Sequence, residues 1–185
     1  ADAKPGDALI LGKPLGVGIF SAALKKDQLD KADYARMMAY TTKLNTPGPD
    51  LATIDGVHAM TDVTGFGLAG HALEIARASR CHIRIDWQSL PILGGIHDLI
   101  RSGCVTGASA RNWASYGAEV ILPADFTSQD QALLTDPQTS GGLLVSCASD
   151  RIEQVMRIFH AHGFAEAKQI GSIEASDSRP SLVIS

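Results

Sequence analysis

Three glycines, Gly65, Gly67 and Gly70, constrain the fold of this chain more than any other local feature. They follow residues 57–63, which are predicted to form a strand, and precede an apolar pattern at residues 68–78, which predicts a helix. A G-x-G-x-x-G turn between a strand and a helix is typical of sites that bind dinucleotide phosphates. The same glycines also suit a tight turn that only lets the helix pack closely against the strand.

Two carboxylates bear on the choice between these interpretations. Asp86 follows the turn by about 20 residues, where a dinucleotide site places the acid that binds the ribose. Asp62 stands three residues before Gly65, where its charge would repel a bare pyrophosphate. A Mg²⁺ ion would remove that repulsion, because it binds one or two carboxylates together with substrate phosphates. Asp62 therefore favours a metal and phosphate site, and the alternative is a carboxylate that caps the amides of its own turn.

A second glycine loop has the sequence DPQTSGG at residues 136–142. It precedes an apolar run at residues 143–147, which predicts a buried strand. The hydroxyl and main-chain N–H groups of such a loop are the donors that a phosphate group needs. The same residue types are common in ordinary turns, so the loop is either a ligand contact or a simple connection.

The order of predicted strands and helices indicates the α/β (α+β) class, a layered sandwich of mixed β-sheet with helices. The last two predicted strands, residues 168–173 and 181–184, have no helix between them, so a purely parallel sheet is not expected. A chain of 185 residues is long enough to bury a substantial core without disulfides or a structural metal. We therefore expect a single domain over residues 1–185.

Three local predictions concern helices. The apolar spacing of residues 30–44 predicts a helix on which Tyr34, Met37, Met38 and Thr41 share a face. Residues 102–117 show no clear period, which predicts mostly irregular chain with a single turn of helix. Asp150 precedes an apolar periodic segment, and we expect it to cap the helix that this segment forms.

Other side chains are weaker candidates for a binding site. Lys13, close to the end of the first predicted strand, and the pair Arg111 and Asn112 are candidate anion contacts. Each of these also has an ordinary interpretation as a structural or surface residue. His71 lies in the helix that follows the glycine turn, and we expect a packed histidine there rather than a catalytic base.

Metal and disulfide chemistry have little support in the sequence. His160 and His162 lack the i, i+4 spacing of a helical metal pair. Cys81, Cys104 and Cys147 are odd in number and contain no C-x-x-C pattern, so neither a disulfide framework nor a zinc ribbon is expected.

Charge and hydropathy argue against two classes of partner. The net charge is −4 and no dense basic cluster is present, so we expect no nucleic-acid surface. No apolar segment approaches the length of a membrane helix. Residues 1–4 show no apolar signal segment, and a cytoplasmic location is expected.

Four segments, in this order and spacing, resemble the C-terminal half of the selenophosphate synthetase (selenide, water dikinase) family, within the aminoimidazole ribonucleotide synthetase superfamily. They are KPLG at residues 13–16, MTDVTGFGL at 60–68, RNWASYG at 111–117 and DPQTSGGLL at 136–144. The resemblance implies the α/β domain that closes over ATP in those enzymes. The N-terminal ATP-binding domain, with its catalytic Cys or selenocysteine and its Lys, would lie outside this sequence, so no catalytic residue is expected here.

The resemblance also implies roles for the two loops. Asp62 matches an aspartate that binds a Mg²⁺ ion bridging the phosphates of ATP. The loop residues expected to face the phosphates or the substrate are Thr64, Gly65, Gly67, Thr139, Ser140, Gly141 and Gly142. The implied full-length enzyme is a homodimer that makes selenophosphate, AMP and phosphate from selenide, ATP and water, and the domain alone is expected to be inactive. The alternative is a free-standing module that binds a nucleotide or a partner through its glycine-rich loops.

Overall fold

The computed structural model describes residues 2–176 and 181–185, and the strands of these residues form one mixed sheet. The seven strands within the described ranges are β1 (Ala8–Leu11), β2 (Val57–Asp62), β3 (Cys81–Ile85), β4 (Val120–Ile121), β5 (Leu143–Cys147), β6 (Lys168–Ala175) and β7 (Ser181–Ile184). They lie in the order β2-β5-β1-β6-β3-β7-β4. Neighbours from β2 to β3 are antiparallel, whereas β7 runs parallel to both β3 and β4. The predicted mixed sheet is confirmed.

Helices connect the strands and cover the sheet. In the described part of the chain they are α1 (Val17–Lys25), α2 (Lys31–Thr42), α3 (Gly48–Leu51), α4 (Gly67–Ser79), α5 (Ile96–Arg101), α6 (Gly107–Tyr116), α7 (Ser128–Leu134) and α8 (Ile152–Ala161). None of these helices is long and apolar enough to cross a membrane.

The interior strand β1 is buried on both faces, because all four of its residues are buried and alternate side chains of a strand point to opposite sides of the sheet. Leu9 and Leu11 belong to a large apolar cluster that includes residues of α1 and α4. Ala8 and Ile10 belong to a smaller cluster on the other face, to which α8 contributes Phe159. Helices therefore pack on both faces of the sheet and form a layered α/β fold.

Helix α6 occupies a stretch that the sequence predicted to be mostly irregular. The Thr106 side chain begins the helix by accepting a hydrogen bond from the Ser109 N–H at 3.2 Å. The buried residues of α6 are Ser109, Asn112 and Tyr116, which share one face of the helix. The prediction was wrong because this packed face is polar, so no hydrophobic period marks it in the sequence.

The helix predicted over residues 30–44 is confirmed as α2. Of the four residues on its shared face Met37 is buried, whereas Tyr34 is 44% exposed and Met38 is 40% exposed. The predicted cap of α8 was wrong. Asp150 does not cap α8, because it lies inside a short 3-10 turn, Ser149–Arg151, that precedes the helix.

Candidate functional site

The two glycine loops meet at one end of β2 and β5. These strands are antiparallel, and Asp62 at the end of β2 pairs with Leu143 at the start of β5. The loops are joined directly, since the Gln138 N–H donates to the Thr64 carbonyl oxygen at 2.9 Å. Both loops were predicted from the sequence, and the structure brings them together into one surface.

Three of the candidate loop glycines are required by close packing. A Cβ atom on Gly141 would overlap the carbonyl oxygen of Val63, and one on Gly142 would overlap the main chain that precedes α1. Gly67 has a φ of +69°, and its Cβ atom would lie 2.7 Å from the carbonyl carbon of Thr135. These three glycines allow the two loops to approach each other and the first helix.

Gly65 differs from these glycines, because a Cβ atom there would have no neighbour within 4 Å. Gly65 is exposed, and hydrogen bonds from side chains of α6 hold the main chain of this turn. Asn112 Nδ2 donates to the Gly65 carbonyl oxygen at 2.9 Å, and the Tyr116 hydroxyl donates to the Phe66 carbonyl oxygen at 2.5 Å. Packing within the described chain does not require a glycine at this position, whereas close approach of a ligand would.

Asp62 is exposed, and its carboxylate accepts no hydrogen bond from any residue within the described ranges. The alternative in which it caps its own turn is therefore not observed. No group of three or more His, Cys, Asp or Glu side chains among the described residues is placed to hold a metal ion. The free carboxylate fits a single ligand to Mg²⁺, an ion that takes its other oxygens from phosphates, water and other groups.

A chain of hydrogen bonds orients the hydroxyl group of Thr64. This hydroxyl lies 3.1 Å from His71 Nε2, and His71 Nδ1 lies 2.9 Å from Glu74 Oε2. Because the carboxylate only accepts, Nδ1 donates to it, and in the neutral imidazole Nε2 accepts from Thr64. His71 is buried as expected, but sequence reasoning missed its contact with the loop, for which the i, i+3 pair with Glu74 was the available signal.

Asp136 and Gln138 of the second loop cap helix α1 instead of facing solvent. Asp136 Oδ2 accepts from the N–H groups of Gly18 at 3.0 Å and Ile19 at 3.2 Å. Gln138 Oε1 accepts from the Val17 N–H at 3.3 Å. Burial raises the pKa of Asp136 to about 7, against the opposing effect of these hydrogen bonds. The N-terminus of α1 is thus occupied by side chains of the protein itself.

Lys13 is only 2% exposed, and its ammonium group holds the second loop to α2. Nζ donates to the carbonyl oxygens of Lys43 and Ser140, both at 2.6 Å, and to that of Tyr40 at 3.4 Å. Burial, with a further effect of the Lys43 charge, lowers the pKa of Lys13 to about 8. Three main-chain oxygens surround the ammonium group, so Lys13 has the structural role and is not an anion contact.

The remaining residues of the second loop have different surroundings. Thr139 is exposed and lines a pocket that Arg111 also lines. Ser140 adopts a φ of +52°, which turns its carbonyl oxygen to Lys13. Thr139 therefore offers its side chain to solvent, whereas Ser140 mainly shapes the path of the loop.

Among the candidates outside the loops, His162, Asp86 and the cysteines have structural roles. His162 Nε2 lies 2.8 Å from Asp50 Oδ2, so this side chain is paired and does not form a metal site with His160. Asp86 accepts a hydrogen bond from the Gln88 N–H at 3.1 Å and caps a short 3-10 turn. The three cysteines, Cys81, Cys104 and Cys147, are buried and free, and burial raises the pKa of the Cys147 thiol to about 11.

The comparison with protein families decides where this fold belongs. The model for the C-terminal domain of AIR synthase related proteins matches residues 4–182. The chain belongs to this family.

Among curated proteins, this AIR synthase related domain is similar to several named "Selenide, water dikinase". The protein of Pseudomonas straminea is 62% identical over 175 residues, which are 95% of this chain and 49% of that protein. The protein of Paraburkholderia xenovorans (strain LB400) is 55% identical over 183 residues, 99% of this chain and 52% of that protein. The chain spans about half the length of the curated relatives it matches.

Solved structures share the fold of the AIR synthase related domain. E. coli HypE superposes with a TM-score of 0.66 at 21% identity, over 98% of this chain and 47% of that chain. Thiamine-monophosphate kinase from Stenotrophomonas maltophilia K279a gives a TM-score of 0.64 at 18% identity, over 99% of this chain and 51% of that chain. A complex of hydrogenase maturation protein HypE with ATP gives a TM-score of 0.63 at 18% identity, over 98% of this chain and 48% of that chain. These similarities establish the fold.

Proposed function

We propose that this chain is the C-terminal domain of a selenide, water dikinase, and that it contributes Asp62 to a site for magnesium and the phosphates of ATP. The observation that carries the proposal is the Asp62 carboxylate, which is exposed and free of hydrogen bonds from the described residues. Beside it, the main chain at Gly65 is open to a ligand. The identity of 62% with a curated protein of that name supports the reaction.

The proposed full-length enzyme makes selenophosphate, AMP and phosphate from selenide, ATP and water. When bound, Mg²⁺ supplies charge neutralisation to the phosphate oxygens. Asp62 provides one oxygen ligand, and Gly65 admits the phosphates at close range because no side chain stands over it. Thr64, held by His71, keeps its hydroxyl in one orientation at this edge. The catalytic Cys or selenocysteine and the Lys belong to the N-terminal domain.

The second loop completes the same phosphate-facing edge in this proposal. Thr139 offers a hydroxyl group, while Ser140, Gly141 and Gly142 fix the main-chain path beside the first loop. Closure of the domain over ATP would exclude water from the reacting selenide and phosphoryl groups.

The organisation of the whole enzyme belongs to the same proposal. Residues 1–185 form one domain, and an ATP-binding domain elsewhere in the full-length protein forms the homodimer. The match to half the length of the curated relatives supports this second domain. We also place the enzyme in the cytoplasm, and we expect the isolated chain to be inactive.

The test is to join this chain to the N-terminal half of a curated relative and measure ATP-dependent selenophosphate formation. We expect Asp62→Asn to reduce activity by at least about tenfold, because it removes a charged metal ligand. Asp55→Asn, at another exposed aspartate, is the matched control and should leave activity unchanged. Normal activity of the Asp62 variant would overturn the metal role.

The isolated chain separates this proposal from the free-standing module. We expect calorimetry with ATP and Mg²⁺ to show no tight binding that depends on Asp62, because the remaining ligands are absent. Tight, Asp62-dependent binding of Mg-ATP by the isolated chain would favour the module instead.

A further inference from the structure

A pocket of about 480 Å³ lies between α1, α6 and the second loop, and Asp62 is not among its lining residues. The volume falls within the range of small-molecule sites. The lining contains three basic side chains, Lys25, Lys26 and Arg111, and no carboxylate among the described residues. The chain as a whole has a net charge of −4, so this concentration of positive charge is local.

The cations at this pocket are available to a ligand. Lys25 and Arg111 form no ion pair with any carboxylate in the described part of the chain, in contrast with Arg77, which binds Glu119 through two nitrogens. Lys26 Nζ donates to the Gly103 carbonyl oxygen at 2.7 Å, which holds this ammonium group at the rim. Unpaired cations keep their full attraction for an anion.

Neutral donors line the same pocket from other directions. Thr106 Oγ1 accepts from a main-chain N–H of α6, so its own proton remains to donate. Gly107 and Ala108 also line the pocket, and the first amides of a helix have no acceptor within the helix. Thr139 adds a hydroxyl from the second loop. Donors from two segments of the chain, the start of α6 and the second loop, thus converge with the basic groups.

We propose that this pocket binds the phosphate group of a small molecule. Arg111 provides a planar pair of N–H donors for two oxygens, and the hydroxyls and the lysines can reach the others, which suits a tetrahedral, multiply charged anion. The inference goes beyond the proposed function, because it needs neither Mg²⁺ nor Asp62. Thr139 borders both this pocket and the phosphate-facing edge of the proposed function, whereas Asp62 is not among the residues that line the pocket.

The test uses the 185-residue chain and pyrophosphate without magnesium. In amide NMR spectra, we expect pyrophosphate to shift the signals of Gly107, Ala108 and Thr139. Arg111→Gln should weaken binding about tenfold, the effect of losing one charged hydrogen-bonding partner. Arg157→Gln is the matched control, because Arg157 is exposed on α8, the helix that packs on the opposite face of the sheet. Lys25→Gln provides a second variant at the pocket.

The outcomes separate specific binding from general attraction between charges. Equal weakening by Arg111→Gln and Arg157→Gln, or no shift at the three pocket amides, would overturn the proposal. Inorganic phosphate and ATP are further probes: shifts of the same amides by all three ligands support recognition of the phosphate group itself. Binding of ATP alone would overturn it. Asp62→Asn should leave pyrophosphate binding intact, so failure here is distinguishable from failure of the magnesium proposal.

Discussion

Gly65 and Gly141 belong to adjoining loops, but a methyl group fits at Gly65 and would overlap the main chain at Gly141. Gly141→Ala would force the Val63 carbonyl aside, and we expect it to lower the free energy of unfolding by about 2 kcal/mol or more. Gly65→Ala should change it by less than about 0.5 kcal/mol, because nothing lies near the new atom. Urea denaturation measures both, and similar losses would contradict the assignment. In the joined enzyme, Gly65→Val should reduce activity while the fold persists.

The buried carboxyl group of Asp136 makes stability depend on pH. Burial raises its pKa to about 7, whereas an Asp in an unfolded chain titrates near pH ~3.9. Between these two pKa values, Asp136 holds a proton in the folded protein but not in the unfolded chain. The contribution of Asp136 to the free energy of unfolding therefore falls as pH rises through this range, and it is level above pH 7. Asp136→Asn should remove this decrease, which is at most about 4 kcal/mol. Urea denaturation at several pH values tests it, and parallel pH profiles for the two proteins would contradict it.

Helix α6 supports the first loop through its polar face. Asn112 Nδ2 binds the carbonyl oxygens of Gly65 at 2.9 Å and Thr135 at 3.1 Å. We expect Asn112→Ala to reduce stability by about 1–3 kcal/mol, because two carbonyl groups lose their donor. Amide hydrogen exchange at Gly67, whose N–H donates to the Thr64 carbonyl oxygen at 3.1 Å in the first loop, should become faster. Ser115→Ala, on the exposed face of the same helix, is the control, and equal effects of both changes would show that α6 does not hold the loop.

At the level of elements, the sequence was informative where packing is apolar. The run at residues 143–147 predicted β5 to the residue, because a strand buried on both faces needs continuous apolar side chains. Residues 57–63 predicted β2, an edge strand, to within one residue. Residues 102–117 gave no such signal, since the buried face of α6 is polar. The junction of the two loops was also hidden, because no local pattern specifies that β2 pairs with β5.

The sequence predicted only part of the candidate site, because local patterns do not show which distant groups a side chain contacts. Asp62 and Gly65 stand out in the sequence and have open surroundings in the structure. Asp136 and Gln138 have the composition of a ligand loop, but their partners are amides of α1, more than a hundred residues away. Whether a polar side chain binds a ligand or caps a distant helix is decided by tertiary contacts.

At the scale of the molecule, β1 connects the two apolar clusters, because its alternate side chains enter both. We therefore expect the chain to unfold in a single cooperative transition. Leu68→Ala in the large cluster and Phe159→Leu in the small one should each lower the midpoint of that same transition. Calorimetry and circular dichroism together measure this. Two separate transitions, each sensitive to only one substitution, would contradict a single unit.

The position of β1 in the sheet also governs the order in which the chain acquires its contacts. Ala8 pairs with Cys147 on one side and with Ser172 on the other, so both partners of this strand are synthesised long after it. A nascent chain that ends before Leu143 contains neither of them. The apolar centre of the sheet therefore stays unpaired during most of translation, which makes folding dependent on distant contacts and correspondingly slow.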